Sequence, residues 1–288
     1  MWPALQAVIN GLLTGSLYAL IGMGMALIFG VMRIVNFAHG AFLMVAMYIT
    51  FALFDRAGIN PYLGFMVAGA ALFVLGVILY DGLLRWIAER SDFMQILLTL
   101  GLSLIATGAI QRGFGADYRQ VNFPLLDVNL HAGPISVNAP WLLSFAITVV
   151  LAVGMYLFVM KSRFGRSVRA IAQNRYAASL VGIDVKRTQS LAFGLGLAAV
   201  GVAGGLLLPV FYLYPTVGDQ FTLKSFVIVV LGGMGSIEGA AIAGLALGVI
   251  ENLTSLYWGN EWALVVDFAI FLLVLSLRPA GLFGSQRV

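Results

Sequence analysis

Long apolar runs parted by short polar breaks set the pattern of this chain. They fall near 5–31, 36–54, 61–83, 93–112, 140–160, 189–213 and 262–278, with a broken pair at 223–231 and 237–256. A membrane-crossing helix needs about 20 mostly apolar residues at a rise of about 1.5 Å each. Membrane strands would instead alternate apolar and polar over about ten residues. These runs are continuous and too long for that. The pattern predicts an all-α polytopic membrane protein with about eight transmembrane segments, the seventh broken at a Gly-rich stretch. The 288 residues are read as a single transmembrane domain.

Composition strengthens that reading. The chain is 61% hydrophobic and 10% charged, against roughly 25% charged in soluble domains. Its 34 glycines fit close helix packing in lipid. The absence of cysteine removes disulfides and thiolate chemistry. The start, MWPALQAVINGLL, lacks a basic leader region and reads as the beginning of a retained span.

Charge then sets orientation. The stretch 161–187, KSRFGRSVRAIAQNRYAASLVGIDVKR, holds seven of the sixteen basic residues against one acid, Asp184. Basic loops stay cytoplasmic, so 161–188 is placed inside. Alternation then puts Arg33, Arg85 and Arg90 inside, and Arg278 and Arg287 as well where 223–231 dips in from outside and 237–256 returns; a single full crossing by the broken pair is the alternative and would put the C-terminus outside. Arg56, Arg112, Arg119 and Lys224 fall outside, with the N-terminus outside and the C-terminus cytoplasmic. The net charge of +4 therefore reports topology and contact with membrane lipid, and no nucleic-acid partner is expected. The outside loop 113–139 carries Pro124, Pro134, Asp117, Asp127 and His131 and predicts a turn-rich cap or an exposed coil.

Polar residues inside apolar runs are the candidate chemistry. Asn10, Thr14 and Tyr18 recur every four residues on one helix face, beside the close-packing pair Gly11 and Gly15. They are candidates for a wet translocation path; simple solvation at the interface is the alternative. Asn36 and His39 are expected to share a face at the start of the second span, near the inner boundary, where Gly40 permits close approach of backbones; they are candidates for a substrate or gating role, with hydrogen-bonded structure as the alternative. The run LGGMGSIEGA at 231–240 places Gly232, Gly233 and Gly235 within four residues, which breaks a helix inside an apolar stretch. Ser236 then caps the next helix, and Glu238 complements its first turn. The functional reading is a break lining the substrate path; the alternative is a tight turn at one face. Asp267 lies within the last span and is either functional or paired with a neighbouring helix.

Several activities lack support. No Walker-type phosphate loop, nucleophile elbow or pair of zinc-spaced histidines occurs, so no catalytic or metal site is expected, and no cofactor. Within the basic loop, Ser167 is an expected helix N-cap and Gly182 a stop. Ala177, Ala178 and Val181 would present a small apolar surface flanked by Arg169 and Arg175. Such a knob suits a partner's cleft better than anionic lipid alone.

The chain resembles the membrane permeases of the branched-chain amino acid ABC importer family, the LivH-like branch. The resemblance runs over nearly the whole length and rests on NGLLTGSLYAL (10–20), NFAHG (36–40), RAIAQNRYAASLVGI (169–183), VLGGMGSIEGA (230–240) and RPAGLFG (278–284). It implies a multi-pass protein of a bacterial inner membrane that pairs with a homologous second permease. Two cytoplasmic ATPase subunits, which bind ATP and magnesium, and a periplasmic substrate-binding protein complete the assembly. Residues 169–183 are similar to the family's coupling loop: Ala177, Ala178 and Gly182 match its motif, whereas Tyr176 stands where the motif has glutamate. Arg169, Tyr176, Ala177, Ala178, Gly182 and Ile183 are the residues expected to meet the ATPase. Transport would proceed by alternating access. Urea, short amides or aromatic acids are alternative substrates within the family, and a stand-alone secondary transporter or channel is the alternative from another class.

Overall fold

The computed structural model describes residues 2–88 and 90–284; Arg287, counted above for topology, lies outside them. The elements in order are α1 (Trp2–Met32), α2 (His39–Ala57), α3 (Pro61–Leu79), a π-helical turn (Tyr80–Leu84) running into α4 (Arg85–Ile87), and α5 (Asp92–Phe114). A 3-10 turn (Pro124–Asp127) and the strands β1 (Asn129–Ala132) and β2 (Ile135–Asn138) precede α6 (Ala139–Lys161). Then come α7 (Arg163–Gln173), α8 (Arg175–Leu180), α9 (Val185–Leu207), α10 (Val217–Gly232), α11 (Ile237–Trp258) and α12 (Ala263–Leu277). Eight helices among the described residues are long and apolar enough to cross a membrane. α10, with 16 residues, is the short partner of α11, so the broken seventh segment is the α10–α11 pair.

Burial sorts the helices. α1 and α9 form the packed centre together with α2 and α10, while α5, α6 and α12 leave most of their apolar surface uncovered, as lipid-facing helices do. Backbones approach through small residues. A Cβ on Gly11 would sit 2.5 Å from the Val249 Cα, and one on Gly15 would lie 2.9 Å from the Leu245 carbonyl oxygen. The paired small residues predicted in the first span are therefore the seam between α1 and α11.

Two ends of the bundle can be told apart by contacts alone. At one end the β1–β2 hairpin, whose register pairs Asn129 with Asn138, is bound to the start of α1. Gln6 Nε2 donates to the Ser136 carbonyl at 2.7 Å, and the Ser136 N–H donates back to Gln6 Oε1 at 3.0 Å. The loop 113–139 is thus an ordered cap. It is joined to the connection after α9 by reciprocal backbone bonds between Arg119 and Leu213. There the Tyr214 ring lies tilted at 41° against Tyr118, and burial pushes its hydroxyl pKa up, helped by Tyr118 and Asp219. The opposite, basic end gathers the close of α1, α7, α8, the turn 233–236 and the segment 278–284.

Three expectations about local structure change. Ser167 does not cap a helix; it lies inside α7. Ser162 Oγ accepts from the Gly165 N–H at 2.9 Å, and Asn174 Oδ1 caps α8 through the Ala177 N–H at 3.0 Å. The helix begins earlier because Ser162 follows the end of α6 directly and can serve as its exit and the next helix's cap. Gly182 does end α8, at φ +84°.

Asn36 and His39 do not share a helix face near a boundary. α1 stops at Met32, Arg33 turns at φ +57°, and six residues run back into the bundle before α2 starts at His39. His39 Nε2 donates to the Ile21 carbonyl at 3.0 Å. That carbonyl lies roughly 16 Å back along α1 at about 1.5 Å per residue. Asn36 precedes the helix, its Oδ1 accepting from the Ala38 N–H at 3.0 Å.

The Gly-rich break lies at one end of the bundle, beside the close of α1. Gly235 lies against Gly30, near the end of α1, with Gly233 at φ +98° and Gly235 at φ +90°. A tight turn at one end of the bundle, packed under the 278–284 segment through the Leu282 N–H to Leu231 carbonyl bond, is what these glycines build.

Candidate functional site: a groove along the first helix

α1 forms the floor of a groove whose walls are α6 and α11. Both walls pack on α1 but barely touch each other, because the glycine seam draws α11 to one side of α1 while α6 leans on the other. The result is a string of cavities along nearly the full length of α1.

At the hairpin end a chamber of about 320 Å³ is lined by Asn10 and Thr14 of α1, Asn252 of α11, and Asn129, Ser136 and Asn138 of the hairpin. About one turn further along α1 the lining becomes apolar. Ala19, Met23, Val149, Val153, Ile242 and Leu245 surround about 400 Å³. Here Thr148 Oγ1 is buried and has no hydrogen-bond partner, whereas the Ser16 hydroxyl in the same lining donates to the Leu13 carbonyl. Glu238 and Tyr156 end this section and open into a third cavity of about 270 Å³, shared with Gly235, Ser236 and Arg169. A last one, of about 500 Å³, reaches Arg33. Polar ends and an apolar middle suit a solute that carries both polar and apolar parts.

The residues singled out from sequence divide clearly. Asn10, Thr14, Gly235, Ser236 and Glu238 line this groove. Ser236 also caps α11 as expected, its Oγ accepting from the Gly239 N–H at 3.0 Å. Gly232 and Gly233 face the Gly239 and Gly284 backbones. Asn36 and His39 are fully buried behind α1, with Asn36 Nδ2 and His39 Nδ1 unpartnered.

Tyr18 belongs to a different constellation that sequence reasoning missed. Lys224, counted as an outside charge, is buried midway along α10. Its Nζ donates to the Tyr18 hydroxyl at 2.8 Å and pairs with Glu251 of α11 at 2.5 Å. It also lies 4.6 Å from the centroid of the Tyr18 ring. Asp267 of α12, only 3% exposed, lines the same small gap as Lys224, and neither of its oxygens has a hydrogen-bond partner. The signal available in sequence was an ionisable residue at each of 224, 251 and 267 within apolar runs; taken singly, the first read as a boundary residue.

The coupling residues also divide. Arg169 turns back to donate to the Val159 carbonyl near the end of α6, where a cation meets the negative end of the helix dipole. Ala178 is buried, and its carbonyl accepts from the Ile183 N–H at 3.1 Å to close the turn. The exposed tip is instead Tyr176, Leu180 and Val181, at 74%, 70% and 77% exposure, with Ala177 beside them.

Comparison with known proteins places this architecture. The family described as branched-chain amino acid transport system / permease component matches residues 7–275, and the chain belongs to it. It is 34% identical to the high-affinity branched-chain amino acid transport system permease protein LivH of Salmonella typhimurium, covering 99% of this chain and 96% of that one. It is 32% identical to the corresponding permease BraD of Pseudomonas aeruginosa, over 99% and 97%. The ribose import permease protein RbsC of Bacillus subtilis is 30% identical over 68% of this chain and 62% of its own length. No solved structure matches.

Proposed function

We propose that the groove along α1 is this chain's half of the translocation pathway of an ATP-driven importer for branched-chain or other hydrophobic amino acids. The observation that carries it is the run of cavities from Asn10 to Arg33, polar at both ends and apolar between. A homologous second permease covers its open side. A periplasmic binding protein delivers substrate at the hairpin end, and two ATPase subunits, which hold ATP and magnesium, dock at the basic end. Arg33 and Arg169 line the cavities at that end, beside the basic loop, which supports a cytoplasmic face there. Lys224, Glu251 and Asp267 line none of the four cavities of the groove, which argues against an ion-coupled carrier using this path.

Filling the apolar section tests the pathway. Ala241→Trp, on the α11 wall, is expected to cut leucine uptake by the reconstituted importer at least about tenfold, since one misplaced side chain in a packed passage is felt strongly. Leu273→Trp, on the exposed face of α12, serves as the control. Equal uptake in the two variants would remove the groove from the mechanism.

The tip of α8 is the ATPase contact. Exposed large apolar side chains at a polar end of a membrane protein mark a docking patch. Val181→Asp is expected to abolish co-purification of the ATPase subunits, whereas Arg169→Lys is expected to leave them bound. Retention by Val181→Asp would place the contact elsewhere.

A further inference from the structure

The chamber at the hairpin end differs in kind from the rest of the groove. Asn10, Thr14, Asn129, Ser136, Asn138 and Asn252 converge on it, with Trp141 and Leu13 completing the wall. The lining thus has four carboxamides and two hydroxyls, and none of its side chains ionises near neutrality. The pieces come from three separate parts of the chain, yet they are tied together. Gln6 fastens the hairpin to α1 and donates to Asn10 Oδ1 at 2.9 Å. Asn252 Nδ2 donates to Thr14 Oγ1 at 3.0 Å and to the Gly248 carbonyl at 2.9 Å. Asn138 Nδ2 donates to the Leu126 carbonyl at 2.9 Å.

Those bonds leave a definite remainder. A carboxamide has two N–H donors and an oxygen with two lone pairs. Asn252 spends both donors on Thr14 and Gly248, so what it has left is its oxygen. Asn10 has one oxygen lone pair engaged by Gln6 and keeps its NH₂ group, the donor that Asn252 no longer has. The chamber therefore offers an acceptor from α11 and a donor from α1, without net charge. A solute bearing one positive and one negative group satisfies both. A solute with net charge finds no counter-charge in this lining.

We propose that this chamber is a docking site for a net-neutral zwitterion, with Asn252 Oδ1 taking the ammonium group and Asn10 Nδ2 the carboxylate. The apolar tail then points along α1 toward Met23 and Val153. The assignment rests on the groove being the pathway and adds which residues read the head group and with which polarity.

That polarity makes the test asymmetric. The probe is uptake of leucine by the importer reconstituted with its partner permease, ATPases and binding protein, with thermal unfolding of each variant alongside. Asn10→Asp sets a carboxylate against the substrate's carboxylate and is expected to lower uptake at least about tenfold. Asn252→Asp sets the same charge against the ammonium and is expected to lose much less. Asn10→Ala, which removes the donor without adding charge, is expected to raise the half-saturating concentration of loaded binding protein about threefold; it carries the test if Asn10→Asp does not assemble. Equal losses at positions 10 and 252, or unchanged uptake in Asn10→Asp and Asn10→Ala, would overturn the assignment. If Ala241→Trp blocks while the Asn10 variants do not, the chamber falls and the pathway stands. If Ala241→Trp transports normally, the pathway itself falls.

Discussion

Lys224→Met is expected to destabilise the permease by about 3–5 kcal/mol, because removing one partner from a buried ion pair leaves the remaining charge uncompensated. Two carboxylates are affected. Glu251 loses the ammonium it pairs with at 2.5 Å, and Asp267 loses the one cation beside it among the described residues of that cavity. The Tyr18 hydroxyl loses its donor as well. Neutralising the acids in the same chain, as Lys224→Met with Glu251→Gln and Asp267→Asn, is expected to recover most of the loss, since a buried ionic group replaced as a whole is often close to neutral. Tyr18→Phe alone is expected to cost only about 1 kcal/mol. Thermal unfolding of the purified permease reads all of these. If the single and triple variants melt together, the cluster does not act as one charge-balanced unit.

The physical role of that cluster follows from where its members lie. Tyr18, Lys224, Glu251 and Asp267 come from α1, α10, α11 and α12. A shared charge network in a medium without water ties those helices far more specifically than apolar packing does, because hydrocarbon tails compete equally for apolar faces. Glu251 is followed directly by Asn252, which bonds Thr14 on the groove side. One turn of α11 thus holds the buried ionic network with one residue and the mouth of the groove with the next.

Much of this was legible in the chain. Uninterrupted apolar runs mark spans because the bilayer demands length, and all eight long helices fall close to the runs read from sequence. Gly11 and Gly15 announced a helix seam, Ser236 a cap and Gly182 a stop, since each depends on a few neighbouring residues and a local backbone need. What stayed hidden depends on partners far apart in sequence. Ile34, Val35 and Phe37 are as apolar as the helix before them, so nothing local marks the chain's return toward Ile21. Lys224 sits at the edge of an apolar run, where boundary lysines are ordinary; only the approach of Glu251 and Asp267 shows that it is interior. Gln6 reads as a terminal polar residue until Ser136 arrives opposite it. Arg169 looked like a docking charge because no sequence pattern reports a bond to the Val159 carbonyl.

The return of the chain at 33–38 carries the other large expected effect. Gly40, at the start of α2, packs directly on Gly218 of α10, and its N–H donates to Thr222 Oγ1 at 3.0 Å. A Cβ placed there would lie 2.5 Å from Thr222 Oγ1 and 2.6 Å from the Thr222 backbone nitrogen, and closer still to the Gly218 carbonyl. Backbone cannot swing aside as a side chain can, so Gly40→Ala is expected to cost about 3 kcal/mol or more. Gly101, within α5, has nothing within 4 Å of its would-be Cβ, and Gly101→Ala is expected to stabilise by up to about 1 kcal/mol through helix propensity. The same substitution thus has opposite signs at two glycines of one bundle. Thr222→Val should reproduce part of the Gly40 loss, about 1–3 kcal/mol, by leaving a buried N–H without an acceptor. Unfolding midpoints of the three variants decide it: a Gly40→Ala protein as stable as wild type would mean that α2 does not start against α10 at this depth, and that the chain after Met32 takes another course.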